Sequence, residues 1–175
     1  EMKQILIQYN SRFPLAIISG RDMDDLKKMV DIDSIIYGGS HGFRISGPDG
    51  LYMEYGKSQK IVLDLDQIEK RLYDLLNGKI KGIRIERKRY AIAVHYRNVS
   101  KEEIPSVTRE VENIIDQNPG FRKGEGKKVV EIRPDVDWHK GKAISWILEK
   151  LNPSEDHKYV PIYIGDDITD EDVFK

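Results

Sequence analysis

The sequence predicts an α/β core that is interrupted by an inserted α+β domain. An apolar strand at 13–18, an amphipathic helix at 22–30 and an apolar strand at 34–37 follow one another in the order of a parallel β-α-β unit. Residues 44–134 instead show short alternating strands and two longer helices. After Pro134 the pattern of helix followed by apolar strand returns, which indicates that the core resumes there.

We therefore assign residues 1–43 and 135–175 to a discontinuous core, and residues 44–134 to the insert. The returning core elements are a helix at 140–151 and a strand at 160–164. Both ends look cut, because the first residues read as a helix already under way and the last residues read as a first helical turn. We expect a core that is incomplete at both ends, in a fragment of a longer protein.

Alternation within the insert gives its predicted strands two different faces. The predicted elements of the insert are a hairpin at 43–54, helices at 59–77 and 101–117, and strands at 82–88, 90–97, 121–123 and 128–133. One face of the sheet is apolar and suits burial under the helices. The other mixes acidic and basic residues beside the small Ala91 and Ala93, and it is a candidate surface for a polar ligand. An ordinary half-solvated sheet explains the same alternation equally well.

The composition excludes several classes of protein. With 29 basic and 30 acidic residues the net charge is -1, which gives no general attraction for nucleic acid or membranes. The sequence has no cysteine, so disulfide and thiolate chemistry are excluded, and a reducing compartment is compatible. No apolar run approaches the length of a membrane span. We expect a cytoplasmic protein whose partners include neither nucleic acid nor membrane.

An acidic cluster follows the last predicted strand. Gly165 is followed by five acidic residues within the seven positions 166–172. Ligands of open α/β sheets bind beyond the carboxyl ends of the strands, and a site with few carboxylates, completed by water and phosphate, suits Mg²⁺. The cluster therefore indicates a metal-dependent site for a phosphorylated ligand. A solvated acidic turn that caps a following helix is the alternative.

Five short motifs, in their order along the chain, resemble those of the trehalose-6-phosphate phosphatases in the haloacid dehalogenase superfamily. They are Ser19-Gly-Arg21, Gly39-Ser-His-Gly42, His95-Tyr-Arg97, Glu131-Ile-Arg-Pro134 followed by Lys140-Gly141, and Gly165-Asp-Asp-Ile-Thr-Asp-Glu-Asp172. The resemblance covers nearly the whole chain. It implies a Rossmann-like haloacid dehalogenase core with an inserted α+β cap domain, and the hydrolysis of trehalose 6-phosphate with Mg²⁺ as cofactor.

The resemblance also implies roles for residues of the core. Ser19 resembles the hydroxyl residue that hydrogen-bonds the transferring phosphoryl group, although a serine there could also cap the 22–30 helix. Lys140 resembles the lysine that steadies the phosphoryl group. Asp166 resembles the magnesium ligand, and Asp167 and Asp170 resemble its water-mediated partners.

Candidates for substrate binding follow from the same resemblance. Arg21 is expected to support the phosphate site, while His41 and Gly42 are expected to shape the pocket. The cap candidates for trehalose recognition are Lys88, His95, Arg97, Glu131 and Arg133. A lone histidine is more often structural, so His41 and His95 carry less of the prediction.

One motif of the family is absent from the sequence. The family reaction uses a nucleophilic aspartate and an acid/base aspartate within Asp-x-Asp-Gly-Thr, which does not occur here. Asp64-Leu65-Asp66 has the aspartate spacing, but it lies in a predicted helix of the insert and lacks Gly-Thr. We expect the nucleophile upstream of Glu1, and a chain that is inactive by itself.

Two alternatives to this reaction remain open. The chain could be a non-catalytic domain that binds a sugar phosphate or has a regulatory role, with a trehalose-phosphate synthase domain as its partner. It could also be a phosphatase of another sugar phosphate. The His95-Tyr-Arg97 and Glu131-Ile-Arg-Pro134 motifs favour trehalose 6-phosphate as the ligand.

Overall fold

The structure is a computed structural model that describes residues 1–151, 160–166 and 168–174. The chain divides into two compact units, one formed by Glu1–Tyr55 with Asp137–Lys175 and the other by Gly56–Val136. Within the described residues, no helix combines the length and the apolar character needed to cross a membrane.

The regular elements follow one another in a mixed order. In chain order they are α1 (Met2–Asn10), β1 (Ala16–Ile18), α2 (Met23–Val30), β2 (Ile36–Gly39), β3 (Arg44–Ser46), β4 (Tyr52–Glu54), α3 (Ser58–Leu76), β5 (Arg84–Lys88), β6 (Ala91–His95), α4 (Ile104–Asp116), β7 (Phe121–Gly126), β8 (Val129–Pro134) and α5 (Lys140–Leu151). Short 3₁₀ helices are described at Ser40–Gly42, Pro48–Gly50 and Ile168–Val173.

The sheet of the first unit has the order β1-β2-β3-β4. β1 and β2 are parallel and are joined through α2, which confirms the β-α-β unit predicted from the sequence. β2 is buried along its whole length, and its successive residues face opposite sides of the sheet. Tyr37 packs with Met23 and Leu26 of α2, whereas Ile36 packs with Ala143 and Ile147 of α5. The two helices therefore cover the two faces at β2.

The hairpin formed by β3 and β4 corrects the predicted domain boundary. The prediction placed the boundary after Phe43, and so assigned this hairpin to the insert. The structure instead pairs β3 antiparallel with β2, so that the hairpin extends the sheet of the first unit. The unit changes at Tyr55 and Gly56, and again at Val136 and Asp137. The prediction failed because the change to antiparallel pairing was taken for a change of domain.

The predicted strand at 160–164 is wrong for the described structure. These residues are in neither helix nor strand, and Val160, Ile162 and Ile164 are 87–91% exposed. Among the described residues, no strand of the β1-β2-β3-β4 sheet pairs with this segment. A β-branched apolar run forms a strand only where a neighbouring strand supplies hydrogen bonds and covers its side chains. The residues that follow form a short 3₁₀ helix, where the sequence suggested the first turn of a longer helix.

Helix α1 buries less than its sequence suggested. By sequence, Met2, Ile5, Leu6 and Tyr9 lie on one face of the helix, yet Met2, Ile5 and Tyr9 are exposed. Leu6 packs against the cluster around Met23 and Leu26. An ion pair between Lys3 Nζ and Asp31, 2.6 Å long, also links this helix to the end of α2.

The second unit is an antiparallel sheet with two helices on one face. The strand order is β5-β6-β8-β7, and α3 and α4 contact these strands. Ile85, Val94 and Val130 stand opposite one another in register on the apolar face. The buried residues of α3 are spaced three and four apart, which confirms the predicted amphipathic face: Ile61, Leu65, Ile68, Leu72 and Leu76.

Candidate functional site

Within the first unit, the ends of β1 and β2 bring two of the sequence motifs together. The Ser19 N–H donates to the Gly38 carbonyl at 2.9 Å, and the His41 N–H donates to the Ser19 carbonyl at 2.8 Å. The carboxyl ends of parallel strands share one edge of a sheet, which is where ligands of α/β proteins bind. Ser19 and His41 therefore lie at the edge at which the sequence predicts the phosphate site.

The loop after β2 has an unusual backbone. Ser40 and His41 have φ angles of 50° and 58°, and Gly42 follows with a φ of 87°. Such left-handed conformations cost free energy in residues other than glycine, and they persist where neighbouring contacts fix them. The fixing contacts are hydrogen bonds of 2.7 Å from Ser40 N–H to the Arg21 carbonyl and from Ser40 Oγ to Asp22.

The turn after β1 and the loop after β2 are closely packed. A Cβ on Gly20 would stand only 2.7 Å from Nε2 of His41, so the imidazole lies directly against the Gly20 backbone. A side chain on Gly42 would collide with Ala143 of α5. The two glycines of these motifs are therefore required for close approach, at His41 and at α5 respectively.

Ser19 is not a helix cap in the structure. Asp22 is the residue before α2, and Ser19 Oγ accepts a hydrogen bond of 3.2 Å from the Arg21 N–H. The hydroxyl is thus held by the turn that follows β1. Arg21 is exposed at the same turn. The alternative interpretation of Ser19 as the cap of this helix is wrong.

Lys140 and Asp170 form a buried ion pair. Lys140 is the first residue of α5, and its Nζ lies 2.5 Å from Asp170 Oδ1, with each side chain 7% exposed. The Tyr163 hydroxyl also donates to Asp170 Oδ1, and the Tyr163 ring meets Phe174 edge-on. Asp170 therefore binds and orients the ammonium group of Lys140. Sequence reasoning missed Tyr163, because an aromatic residue in an apolar run reads as core.

The predicted metal ligands have different surroundings. Asp166 is exposed, whereas the Asp170 carboxylate is held by Lys140 and Tyr163. Asp167 lies outside the described residues. Within the described parts of the chain, no three acidic or histidine side chains gather as a metal site would require. The exposed carboxylate of Asp166 fits Mg²⁺, which binds one or two carboxylates and keeps several waters.

In the second unit, the face of the sheet opposite α3 and α4 is polar. Pairing in register places Ala93 of β6 and Gly124 of β7 on either side of Glu131 of β8. Because paired residues of antiparallel strands share a face, this face also carries residues of every strand: Arg84, Glu86, Lys88, Ala91, His95, Arg122 and Arg133. The face predicted from alternation is confirmed as a mixture of charged and small residues.

Glu131 lies at the centre of this face between two cations. Lys88 Nζ is 2.9 Å from Glu131 Oε1, and Arg133 donates from Nε at 2.6 Å, and also from Nη2, to Oε2. Burial raises the pKa of Glu131. The hydrogen bond from Lys88 and the charges of Arg133 and Lys88 outweigh burial, so the net pKa is lowered. The carboxylate is thus held ionised in a fixed orientation.

A second polar cluster on the same face joins the edge strand β5 to β6. His95 Nε2 is 2.8 Å from Glu86 Oε2, and the same oxygen accepts a 2.9 Å hydrogen bond from Arg84. Arg97 lies beyond the end of β6 and is exposed, so the strand predicted at 90–97 is too long. The structure brings Lys88, Glu131 and Arg133 together. Within the described contacts, it does not bring Arg97 into that cluster.

Comparison with known proteins identifies the kind of chain to which these features belong. A family model described as Trehalose-phosphatase matches residues 1–175. A trehalose-phosphate phosphatase of Mycobacterium marinum is 40% identical over 169 residues, which are 97% of this chain and 43% of the relative. The chain therefore spans less than half the length of that relative.

Solved structures match at the level of the fold. The C-terminal domain of the Candida albicans trehalose-6-phosphate phosphatase has a TM-score of 0.74 at 23% identity, covering 99% of this chain and 64% of that one. The C-terminal domain of the Candida albicans trehalose synthase regulatory protein has a TM-score of 0.66 at 12% identity, covering 89% and 56%.

The mixed α/β fold, with a parallel strand pair in one unit and a helix-covered antiparallel sheet in the other, is that of the haloacid dehalogenase-type sugar phosphatases. Within that class, the match along the whole chain and the 40% identity show that the chain belongs to the trehalose-phosphatase family.

Proposed function

We propose that this chain supplies the phosphoryl-holding and sugar-binding parts of a Mg²⁺-dependent trehalose 6-phosphate phosphatase. Membership of the trehalose-phosphatase family supports the substrate and the reaction. The observation that carries the proposal is the Glu131 cluster, in which a buried carboxylate is held between Lys88 and Arg133 on a face floored by small residues. Oriented charged groups beside small residues suit the hydroxyl groups of a sugar.

In the first unit, Ser19 and Lys140 are assigned to bind the phosphoryl group. Ser19 Oγ stands at the end of β1, where it can donate a hydrogen bond to a phosphoryl oxygen. Lys140 begins α5, whose Ala143 lies against Gly42 of the loop after β2, and Asp170 keeps the charge of Lys140 oriented. Arg21 supports this phosphate site, and His41 and Gly42 shape the pocket around it.

Mg²⁺ would be held through Asp166, assisted by Asp167. When bound, the ion would neutralise charge on the phosphate. Asp170 serves in this scheme as the counter-ion of Lys140 as well as a neighbour of the metal site. The reaction would pass through a phosphoaspartate. The nucleophilic aspartate of the family belongs to Asp-x-Asp-Gly-Thr, which does not occur in this sequence.

In the second unit, sugar recognition is assigned to Lys88, His95, Glu131 and Arg133, with Arg97 as an exposed contributor. Glu131 can accept hydrogen bonds from sugar hydroxyls, and the cations can donate to their oxygens. His95 is oriented by Glu86. This arrangement favours a neutral polar ligand with several hydroxyls over an apolar one.

A second candidate function is the non-catalytic binding of a sugar phosphate. A sequence without Asp-x-Asp-Gly-Thr is compatible with it. The similar fold of a domain described as belonging to a trehalose synthase regulatory protein is compatible with it. In this case a trehalose-phosphate synthase domain would be the partner.

Hydrolysis and binding assays together separate the candidates. Release of phosphate from trehalose 6-phosphate, sucrose 6-phosphate and an aryl phosphate should be measured with and without Mg²⁺, alongside calorimetric titration of each ligand. Because the chain by itself is expected to be inactive, turnover is measured on the longest natural protein that contains it. Selective binding without turnover in that protein would favour the non-catalytic domain, and equal binding of both disaccharide phosphates would remove the trehalose assignment. In a protein that turns over, Asp166→Asn should abolish the Mg²⁺-dependent activity.

Arg97→Ala tests the assignment of sugar recognition separately. It should raise the KM for trehalose 6-phosphate far more than the KM for the aryl phosphate, because only the former presents a disaccharide to the second unit. If turnover is absent, the same contrast is measured in the dissociation constants. Equal effects on both ligands would remove Arg97 from sugar recognition.

A further inference from the structure

Gly124 lies beneath the side chain of Arg133. The residue stands on β7 directly opposite Glu131 of β8. A Cβ built on Gly124 would lie 3.0 Å from Arg133 Nε and 3.2 Å from its Cδ, closer than side chains ordinarily approach. A Cβ at position 124 would therefore press on the head of Arg133, which would have to shift by a few tenths of an ångström.

The part of Arg133 that lies against Gly124 also makes the hydrogen bonds to Glu131. Nε, the atom closest to the absent Cβ, donates to Glu131 Oε2 at 2.6 Å, and Nη2 donates to the same oxygen. A side chain at 124 would press on the atom that makes this hydrogen bond. Lys88 binds the other carboxylate oxygen, so Arg133 and Lys88 together fix the orientation of Glu131.

We propose that Gly124 is a positioning residue for sugar recognition: it lets Arg133 lie against β7 and hold the Glu131 carboxylate ready for the hydroxyl groups of the ligand. The inference rests on the proposed function of this face. Groups that are fixed before binding lose less entropy when the ligand arrives, so preorganisation raises affinity.

The effect belongs to position 124 and not to glycine in general. Gly120 precedes β7 in the same unit, and a Cβ there would have no atom within 4 Å. Neither glycine has a positive φ, so alanine is compatible with both backbones. Gly120→Ala is therefore the matched control for Gly124→Ala.

The first experiment measures the affinity of the full chain for trehalose by calorimetry. Gly124→Ala should weaken binding modestly and Gly124→Val by at least about tenfold, the scale of one charged hydrogen bond, whereas Gly120→Ala should leave it unchanged. Circular dichroism verifies that each variant is folded. Unchanged affinity in a folded Gly124→Val would overturn the proposal.

A double-mutant cycle tests whether Gly124 acts through Arg133. In an Arg133→Gln background the guanidinium is already absent, so adding Gly124→Val should cause little further loss of affinity. An equal loss in both backgrounds would show that position 124 acts by some other route, and it would contradict the proposal.

A spectroscopic readout separates this inference from the proposed function. The Arg133 Nε–H signal in a ¹⁵N NMR spectrum should exchange slowly in the wild type and in Gly120→Ala, and rapidly in Gly124→Val. If that holds but the wild type does not bind trehalose, the sugar role of the face is wrong while the control of Arg133 by Gly124 stands. If the signal is the same in all variants, Gly124 does not position Arg133.

Discussion

The side chains of Lys140 and Asp170 are each 7% exposed, so each charge depends on the other, and not on water, for its stabilisation. A buried pair of this kind adds little stability over apolar residues of the same size. The loss of one member is costly, because the remaining charge stays buried without its partner in this ion pair.

We predict that Lys140→Met lowers the free energy of unfolding by about 3–5 kcal/mol, the usual cost of breaking a buried pair. Adding Asp170→Leu should restore part of this loss. Lys3→Ala, which removes the partner of the exposed Asp31, is the control and should have little effect. Denaturant unfolding of the four proteins measures these differences, and equal losses for Lys140→Met and Lys3→Ala would contradict the prediction.

Glu131 should make the stability depend on pH in acid. Its pKa in the folded protein lies below its usual value of 4.5, because Lys88 and Arg133 outweigh the effect of burial. A carboxyl whose pKa is lowered by folding stabilises the protein above its unfolded pKa, and that contribution is lost as the pH falls through the folded pKa.

The free energy of unfolding of the wild type should therefore fall more steeply below about pH 4.5 than that of Glu131→Gln. Unfolding curves between pH 7 and pH 3 measure the two slopes. Glu102→Gln removes the same formal charge from an exposed position and controls for net charge. Parallel slopes for wild type and Glu131→Gln would show that Glu131 does not carry the effect.

At the residue scale, the sequence indicated which side chains carry polar chemistry, but not all of their partners. Period-two alternation was enough to place Lys88, Glu131 and Arg133 on one face. Alternation could not show that Asp170 pairs with Lys140, because this ion pair joins residues 30 positions apart and depends on where α5 lies. Nor could it show Gly124 beneath Arg133, since a glycine in a strand carries no alternation signal.

Helix α3 shows how an element obtains its stability from one face. Leu65 is fully buried, whereas Leu63, two positions earlier on the same helix, is 64% exposed. The two residues have the same size and helix propensity, so the difference in their contributions to stability reflects burial alone.

We predict that Leu65→Ala lowers the free energy of unfolding by roughly 2–5 kcal/mol, since it removes buried carbon atoms and leaves a cavity. Leu63→Ala is the matched control and should change the free energy by less than about 0.5 kcal/mol. Denaturant titration followed by circular dichroism gives both values. Similar losses for the two variants would mean that α3 does not pack as described.

At the element scale, helices and antiparallel strands were predictable, while the segment at 160–164 was not. In the second unit, β5 pairs with β6 and β7 with β8, which are neighbours in sequence, so alternation was enough to predict these strands. The pairing of β6 with β8 passes over α4 and β7 and was not predicted. The residues at 160–164 have a strand-like composition, but composition does not tell whether a neighbouring strand is present. The hairpin of β3 and β4 was recognised as a hairpin and assigned to the wrong unit for a similar reason.

The second unit has the properties of an independently folding domain. Gly56–Val136 is a continuous stretch of chain with its own sheet and two helices. The interior between them contains fully buried residues such as Leu72, Ile92 and Val107. A domain with its own core can fold alone.

We predict that residues 56–136, expressed alone, unfold in one cooperative thermal transition. Circular dichroism should show the helical signal of α3 and α4, lost together with the NMR chemical-shift dispersion of the sheet. The variant carrying Leu65→Ala in this shorter chain should melt at a lower temperature than the one carrying Leu63→Ala. A gradual, non-cooperative loss of signal would show that the unit depends on the rest of the chain.

The exposed segment at 160–164 bears on how the protein behaves at high concentration. Its apolar, β-branched side chains are 87–91% exposed, and β1 forms an edge of the first sheet within the described residues. Short β-branched segments and unpaired sheet edges are the elements that recruit one another between molecules. With a net charge of only -1, mutual repulsion between copies is weak. Colloidal stability of this chain should therefore improve with a single charged residue in place of Ile162, without any change to the second unit.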